Sequence, residues 1–418
     1  MSDGGNVLGR PGDCNNSIET AKSNLHCSAS TDASAAQNVP VPVPDPGLNA
    51  TVGADSVLAP PVGTDEQDDD SSVESASVSA SGNPENEENL LVDEFGFIID
   101  EEEHDRVQRY IRGIDGKRVA RREVKWQKMQ ANWESMSKKR RSKVKSRCRK
   151  GIPSSFRGAA WQLLIGSYLE MLNPGNEGTY DCLRLKDISD EGLKGTISRD
   201  LPRTFPKHVL FREEGGIGQT FLRNVLHAYA NIDPEVGYVQ GMAFVVGALY
   251  TQMTEEETFW ALHTLMNGEK YRLREMYKPG FPMLHKLFYQ LQRLMAKLLP
   301  NLYEHFEELG VHPTYYASRW FMTLFVYDFN FRAVLRIWDI FLSEGWKIIF
   351  RIAIVLLKLE ERRLLAMSFE EIIFATKTLE QGKDPDELIR RAHGVRFKTA
   401  ELEAFAREYE LTKREGQV

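Results

Sequence analysis

Arg203 and Gln240 are the residues of this 418-residue chain whose settings point to chemistry. Arg203 lies in Ile197-Ser198-Arg199-Asp200-Leu201-Pro202-Arg203-Thr204-Phe205-Pro206, where a proline on either side restricts the backbone and limits helical conformations. A guanidinium projected from so stiff a turn, at small entropic cost, can neutralise charge on phosphoryl oxygens. Asp200 can accept hydrogen bonds from that guanidinium or from nearby amides and fix its direction, and Ile197 would anchor the segment in the core. Gln240 lies in Gly237-Tyr238-Val239-Gln240-Gly241-Met242, where glycine on both sides of Tyr-Val-Gln permits close approach by a partner's backbone. Tyr238 can pack its ring while its hydroxyl hydrogen-bonds. A glutamine amide can orient an attacking water, so the two segments hold the pair of groups that phosphoryl hydrolysis calls for. Taken singly, the arginine reads as half of a surface ion pair and the glutamine as a polar residue in a helix-start turn.

The chain has no Gly-x4-Gly-Lys-Ser/Thr loop to cradle a nucleotide of its own. Gly215-Gly216-Ile217-Gly218 follows no strand and lacks dinucleotide-fingerprint spacing, so it reads as a loop. None of the nine histidines pairs at ligand spacing, and no Gly-x-Ser-x-Gly elbow is present. A conventional enzyme with a built-in pocket is poorly supported, and an activator working on another protein's nucleotide fits the gap.

The elements that must position these groups read as helices. From 151 to about 410, apolar residues recur with 3.6-type period over 159–169, 218–230, 242–253, 255–267, 283–299, 302–309, 318–327, 331–343, 348–362 and 369–381. Start signals stand at Ser154-Ser155, at Asp233-Pro234 and at Thr254-Glu255-Glu256-Glu257, and Gly268, Gly310 and Gly345 follow helical runs. Strand-type alternation is absent, so the expected fold is all-α, a domain of roughly 250 residues. Residues 103–150 read as a helical rod with one apolar stripe, Trp126, Met129, Trp133 and Met136, on an otherwise charged surface.

Charge is strongly segregated. Residues 1–104 hold 21 acidic and 2 basic side chains, whereas 117–150 hold 15 basic and 2 acidic. Residues 1–89 are too poor in aromatic and apolar residues to offset their ordering entropy and are expected to be disordered, with a polyproline II run at Val39-Pro40-Val41-Pro42-Val43-Pro44. Residues 90–147 form a docking segment, beginning Leu90-Leu91-Val92-Asp93-Glu94-Phe95-Gly96-Phe97, and the basic helix. The densest basic run, Lys138-Lys139-Arg140-Arg141-Ser142-Lys143-Val144-Lys145, reads first as a solvated helix face and otherwise as a site for anionic lipid, a nuclear import receptor or nucleic acid. No RNA-binding signature or zinc finger accompanies it, so no nucleic-acid partner is expected. The four cysteines support neither a disulfide framework nor a zinc site. The polar opening Met1-Ser2-Asp3-Gly4-Gly5 suggests no secretory signal, and no apolar run is long enough to cross a bilayer, so a cytoplasmic protein, with peripheral contact to endomembranes, is expected.

Ile197-x-x-Asp200-x-x-Arg203 and Tyr238-x-Gln240 resemble the I-x-x-D-x-x-R and Y-x-Q motifs of TBC-domain GTPase-activating proteins, which act on Rab GTPases. Arg157-Gly158-Ala159-Ala160-Trp161 matches the family's R-x-x-x-W element, and the Asp93-Glu94-Phe95-Gly96-Phe97 element is similar to one that often precedes such domains. The resemblance implies a TBC core over 148–345, completed by helices over 346–418. It implies that Arg203 serves as an arginine finger and that Gln240 replaces the GTPase's own water-positioning glutamine in trans. Asp200, Tyr238 and Ile197 would support the two, and Arg157 and Trp161 would brace the helix start. No cofactor is expected in this chain, since GTP and magnesium belong to the partner, a Rab in its GTP-bound state. One departure is Ala243 after Gly241-Met242, where many relatives carry Asn or Ser. The rival readings are a non-catalytic TBC-like scaffold that tethers Rab-GTP, and a membrane-traffic adaptor led by the 117–150 region.

Overall fold

The computed structural model describes residues 90–416. The expectations of a disordered tail and a polyproline run fall on 1–89 and lie outside the described residues. Among the described residues every regular element is a helix, and β pairing is confined to two isolated bridges, Val92 with Ile98 and Phe97 with His208. The all-α expectation holds.

Helix starts follow side-chain chemistry. Asp100, Asp115, Asp190 and Asp384 each accept a hydrogen bond from the amide three residues on, which satisfies one of the donors left over at a helix N-terminus. Thr254 with Glu257 and Ser368 with Glu371 form reciprocal capping boxes. The expected rod at 103–150 is instead four helices, Glu101–Arg112, Gly116–Gln130, Trp133–Lys139 and Arg141–Arg149, because Asp115 starts a new helix and the backbone at Asn132 and Arg140 leaves the helical region. Its apolar stripe survives the breaks: Trp126, Met129 and Met136 are buried and Trp133 half-buried.

Three further departures have local causes. The run expected over 159–169 divides into Ser154–Ile165 and Ser167–Met171, since Gly166 takes a left-handed conformation with φ of 90°. The run expected over 318–327 stops as Ser318–Met322, where Leu324 and Phe325 both adopt positive φ and bury their side chains completely. Asp233-Pro234 starts no helix; the next one, Met242–Tyr250, begins only after Gly241. Several helices fall outside the expected runs, among them Thr179–Leu185 and Glu191–Asp200, which carry no clear periodicity.

Met242–Tyr250 is apolar on all sides and sits at the centre of the fold. Ile217–Ile232 packs against it, against Thr179–Leu185 and against Glu255–Asn267. Phe331–Glu344 lies against Arg141–Arg149, Ser154–Ile165, Lys347–Leu359 and Pro385–Gly394. Pro282–Leu298 pairs with the last helix, Thr399–Arg414. Cys148 is a free, buried thiol pushed up to about 12 by its apolar surroundings. Among the described residues no helix is long and apolar enough to cross a membrane.

Candidate functional site: two loops joined at Asp200

Ile197 and Asp200 do not belong to a turn. They close the helix Glu191–Asp200, on which both are buried. Pro202 has no amide hydrogen with which to continue the helical ladder. The Asp200 carbonyl instead accepts the Thr204 hydroxyl at 2.7 Å, and the Leu201 carbonyl accepts the Thr204 amide at 3.1 Å, so the chain turns sharply at Arg203. Only from Leu201 to Pro206 is the segment the stiff turn expected from its prolines.

The next residue, Phe205, holds φ at 52°. For a residue with a Cβ that conformation costs roughly 1–2 kcal/mol. Burial of the Phe205 ring offsets it, at about 1.5–3 kcal/mol for a fully buried phenylalanine. The ring fits a notch left by Gly247 on the central helix, where a Cβ would stand 2.4 Å from Phe205 Cε2. It meets Phe244 at 5.4 Å, Phe211 at 5.5 Å and Phe97 at 5.6 Å between centroids.

The second loop runs from the end of Ile217–Ile232 to Met242. Asp233, at its start, accepts the Tyr229 hydroxyl at 2.8 Å and a two-pronged contact from Arg274, Nε at 2.7 Å and Nη2 at 2.8 Å. Arg274 also reaches Glu235 at 2.5 Å. The Gly237 amide donates to the Asp233 carbonyl at 2.8 Å and the Met242 amide to the Val239 carbonyl at 3.1 Å, which leaves Gln240 exposed at the corner. Gly237 and Gly241 both have positive φ, 57° and 105°. The closeness they permit is internal rather than reserved for a partner: a Cβ at Gly237 would lie 3.1 Å from Leu193 Cδ2, and one at Gly241 3.4 Å from Thr323 Cγ2.

The two loops meet on one carboxylate. Asp200 is 3% exposed; its Oδ1 pairs with Arg203 Nη2, and its Oδ2 accepts the Tyr238 hydroxyl at 2.5 Å. Burial, then the Asp200 carboxylate, push the Tyr238 hydroxyl well above its ordinary range, so it stays a donor. The Arg203 side chain remains 54% exposed. Half-exposed ion pairs contribute only about 0–1 kcal/mol, so the effect of Asp200 on Arg203 is on direction rather than on stability. The guanidinium is tethered by one nitrogen and otherwise faces solvent, on the loop that Tyr238 ties to Gln240's.

Arg157 and Trp161 join neither loop. They converge on Asp339, a fully buried carboxylate of the helix Phe331–Glu344. Its Oδ1 accepts Arg157 Nε at 3.2 Å and Trp161 Nε1 at 2.9 Å, and its Oδ2 accepts the Ile152 amide at 2.7 Å. Arg157 Nη2 donates to the Ile152 carbonyl at 2.6 Å. Burial pushes the Asp339 carboxyl up, and the guanidinium, the amide and the indole N–H oppose it. Trp338, the neighbour of Asp339, is fully buried and packs its ring 5.5 Å from that of Trp161. Removing one member of a buried, hydrogen-bonded pair strands the others. Asp339→Ala is therefore expected to lower unfolding free energy by about 3–5 kcal/mol, and Asp339→Asn by less, as denaturant titration would register.

The fold and the paired loops define a helical domain in which an exposed arginine and an exposed glutamine stand on loops joined through one buried carboxylate. Residues 154–365 match the family model described as Rab-GTPase-TBC domain, and the chain belongs to that family. Among characterised relatives it is 36% identical over 299 residues to the human ecotropic viral integration site 5 protein homolog, covering 69% of this chain and 35% of that protein. It is 38% identical over 292 residues to the Rab GTPase-activating protein eat-17 of Caenorhabditis elegans, covering 69% and 32%, and 39% identical over 246 residues to mouse carabin, covering 58% and 53%. The chain thus spans about a third of the length of the first two and about half of the third. The flagellar RabGAP TBC domain of Chlamydomonas superposes with a TM-score of 0.53 at 25% identity, over 66% of this chain and 93% of that one. The Ypt/Rab-GAP domain of Gyp1p gives the same TM-score at 23% identity, over 66% and 97%, and supports the fold alone.

Proposed function

We propose that this protein accelerates GTP hydrolysis by a Rab-family GTPase in its GTP-bound state, supplying Arg203 and Gln240 in trans. The observation that carries this reading is the shared carboxylate of Asp200, which orients an exposed guanidinium and fastens the loop of an exposed glutamine through Tyr238. An exposed arginine and an exposed glutamine on loops joined through Asp200, in a chain with no Gly-x4-Gly-Lys-Ser/Thr loop, suit a nucleotide bound to another protein. Arg203 neutralises charge building on the phosphoryl oxygens, Gln240 holds the hydrolytic water in line, and GTP and magnesium arrive with the GTPase. Family membership and the name of the worm relative support the same assignment. It is tested by single-turnover hydrolysis of GTP preloaded on a panel of Rabs, with and without the full chain. At least one Rab is expected to respond; tight binding of Rab-GTP with no acceleration of any would favour the scaffold reading instead.

Contact with an anionic membrane is a second proposal, compatible with the first. Lys138, Lys139, Arg140, Arg141, Lys143 and Lys145 are all exposed around the corner between two helices, whereas Met136, Val144 and Cys148 of the same helices are buried and turn the cationic side outward. Each such charge near an anionic surface contributes about 1 kcal/mol. Co-sedimentation with phosphatidylserine vesicles is expected, falling steeply as salt shortens the screening length. Equal binding to neutral vesicles would remove the idea.

A further inference from the structure

Residues 92–99 lie outside the matched residues 154–365, yet they are built onto the arginine loop. The Phe97 ring meets His208 at 4.8 Å, Phe331 at 5.0 Å and Phe205 at 5.6 Å. On either side of it the backbones are joined: Ile98 donates its amide to the Lys207 carbonyl at 2.9 Å, and Val209 donates to the Gly96 carbonyl at 2.9 Å. The Leu210 amide donates to His208 Nδ1, so His208 Nε2 carries the hydrogen and donates to the Phe95 carbonyl at 2.8 Å. Asp93 closes the turn by accepting the Phe95 and Phe97 amides at 2.8 and 3.0 Å. Gly96, with φ of 91°, lies where a Cβ would stand 2.9 Å from His208 Nε2.

The consequence falls on Phe205, two residues beyond Arg203. Its left-handed backbone is offset by burial of its ring, and Phe97, from outside the matched domain, is one of the residues that bury it, with Phe211 and Phe244. Release of the ring would let Phe205 relax toward an ordinary φ. The rotation would pass through Thr204, whose hydroxyl and amide set the turn at Arg203. Arg203 itself has one tether, Asp200, and cannot resist the change alone.

We propose that Phe97 is a positioning residue for the arginine finger, and that the 92–99 hairpin is a working part of the activator rather than a linker. This rests on the function proposed for Arg203. The test is single-turnover GTP hydrolysis on a responsive Rab, over a range of concentrations of the full chain. Phe97→Ala is expected to lower the maximal rate by about 10–100-fold, the scale of an ångström-level misplacement, with the half-saturating concentration unchanged. Phe97→Leu, which keeps an apolar side chain and is the milder change to the fold, should shift the same quantity in the same direction by less, and Gly96→Ala should resemble Phe97→Ala. In an Arg203→Ala background Phe97→Ala should remove nothing further. Wild-type maximal rates in folded Phe97→Leu and Gly96→Ala would overturn the inference, as would an equal extra loss in the Arg203→Ala background. Should Arg203→Ala itself keep the wild-type rate, the proposed function fails; should Arg203→Ala be inactive while the hairpin variants keep the wild-type maximal rate, only this inference fails.

Discussion

Arg203→Ala is expected to lower Rab-stimulated GTP hydrolysis by roughly 10³–10⁵-fold, the contribution of an arginine finger in related phosphoryl-transfer systems. At 1.36 kcal/mol per tenfold this is about 4–7 kcal/mol of transition-state stabilisation. Stability should change little, because the side chain is 54% exposed and its pair with Asp200 is of the half-solvated kind. Asp200 would still hold the Tyr238 hydroxyl, and Thr204 would still close the turn. Fold and catalysis are thus separable at this position. Arg203→Lys should recover little, since an ammonium cannot both pair with Asp200 and present a planar fork to phosphoryl oxygens. Wild-type stimulation by a folded Arg203→Ala protein would sink the mechanism.

Gln240→Ala should reduce the same rate by about 10²–10³-fold, the scale for losing one preorganised polar contact in a transition state. Its loop is held at Asp233 by Tyr229 and Arg274 and at Tyr238 by Asp200, none of which involves the Gln240 side chain. Binding of Rab-GTP should therefore persist. A sharper form of the experiment uses a Rab whose own water-positioning glutamine has been replaced. The wild-type chain should still stimulate such a Rab and Gln240→Ala should not. If the replaced Rab is refractory to the wild-type chain, the water is positioned by the GTPase and the role assigned to Gln240 is incorrect.

The long amphipathic helices were legible in the sequence to within a few residues. Pro282–Leu298 is an example: a 3.6-residue apolar period and a proline at the first helical position are local quantities, and burial of one stripe then makes the helix nearly obligatory. Breaks were less legible. Gly166 punctuates visibly, but nothing local announces that Leu324 and Phe325 will leave the helix; their strained backbone is offset by tertiary burial of their side chains. The helix Glu191–Asp200 was missed because its ten residues include two glycines and few apolar positions, although Asp190 is a readable cap.

For the candidate site, the sequence by itself determined which residues stand in the two loops, their framing by Pro202, Pro206, Gly237 and Gly241, and the all-helical setting. These are matters of residue type and short spacing, and short spacing is what a linear string preserves. Tertiary structure alone decided that one carboxylate serves both loops across 38 residues, that Arg274 clamps Asp233 from 41 residues away, and that Arg157 and Trp161 report to Asp339 at separations of 182 and 178. It alone decided that Phe97 lies on Phe205. Hydrogen bonds and ring contacts of this kind depend on how helices pack, and a buried polar group can be satisfied by whichever partner the packing brings within about 3 Å, so no pattern in the chain foretells the pairing.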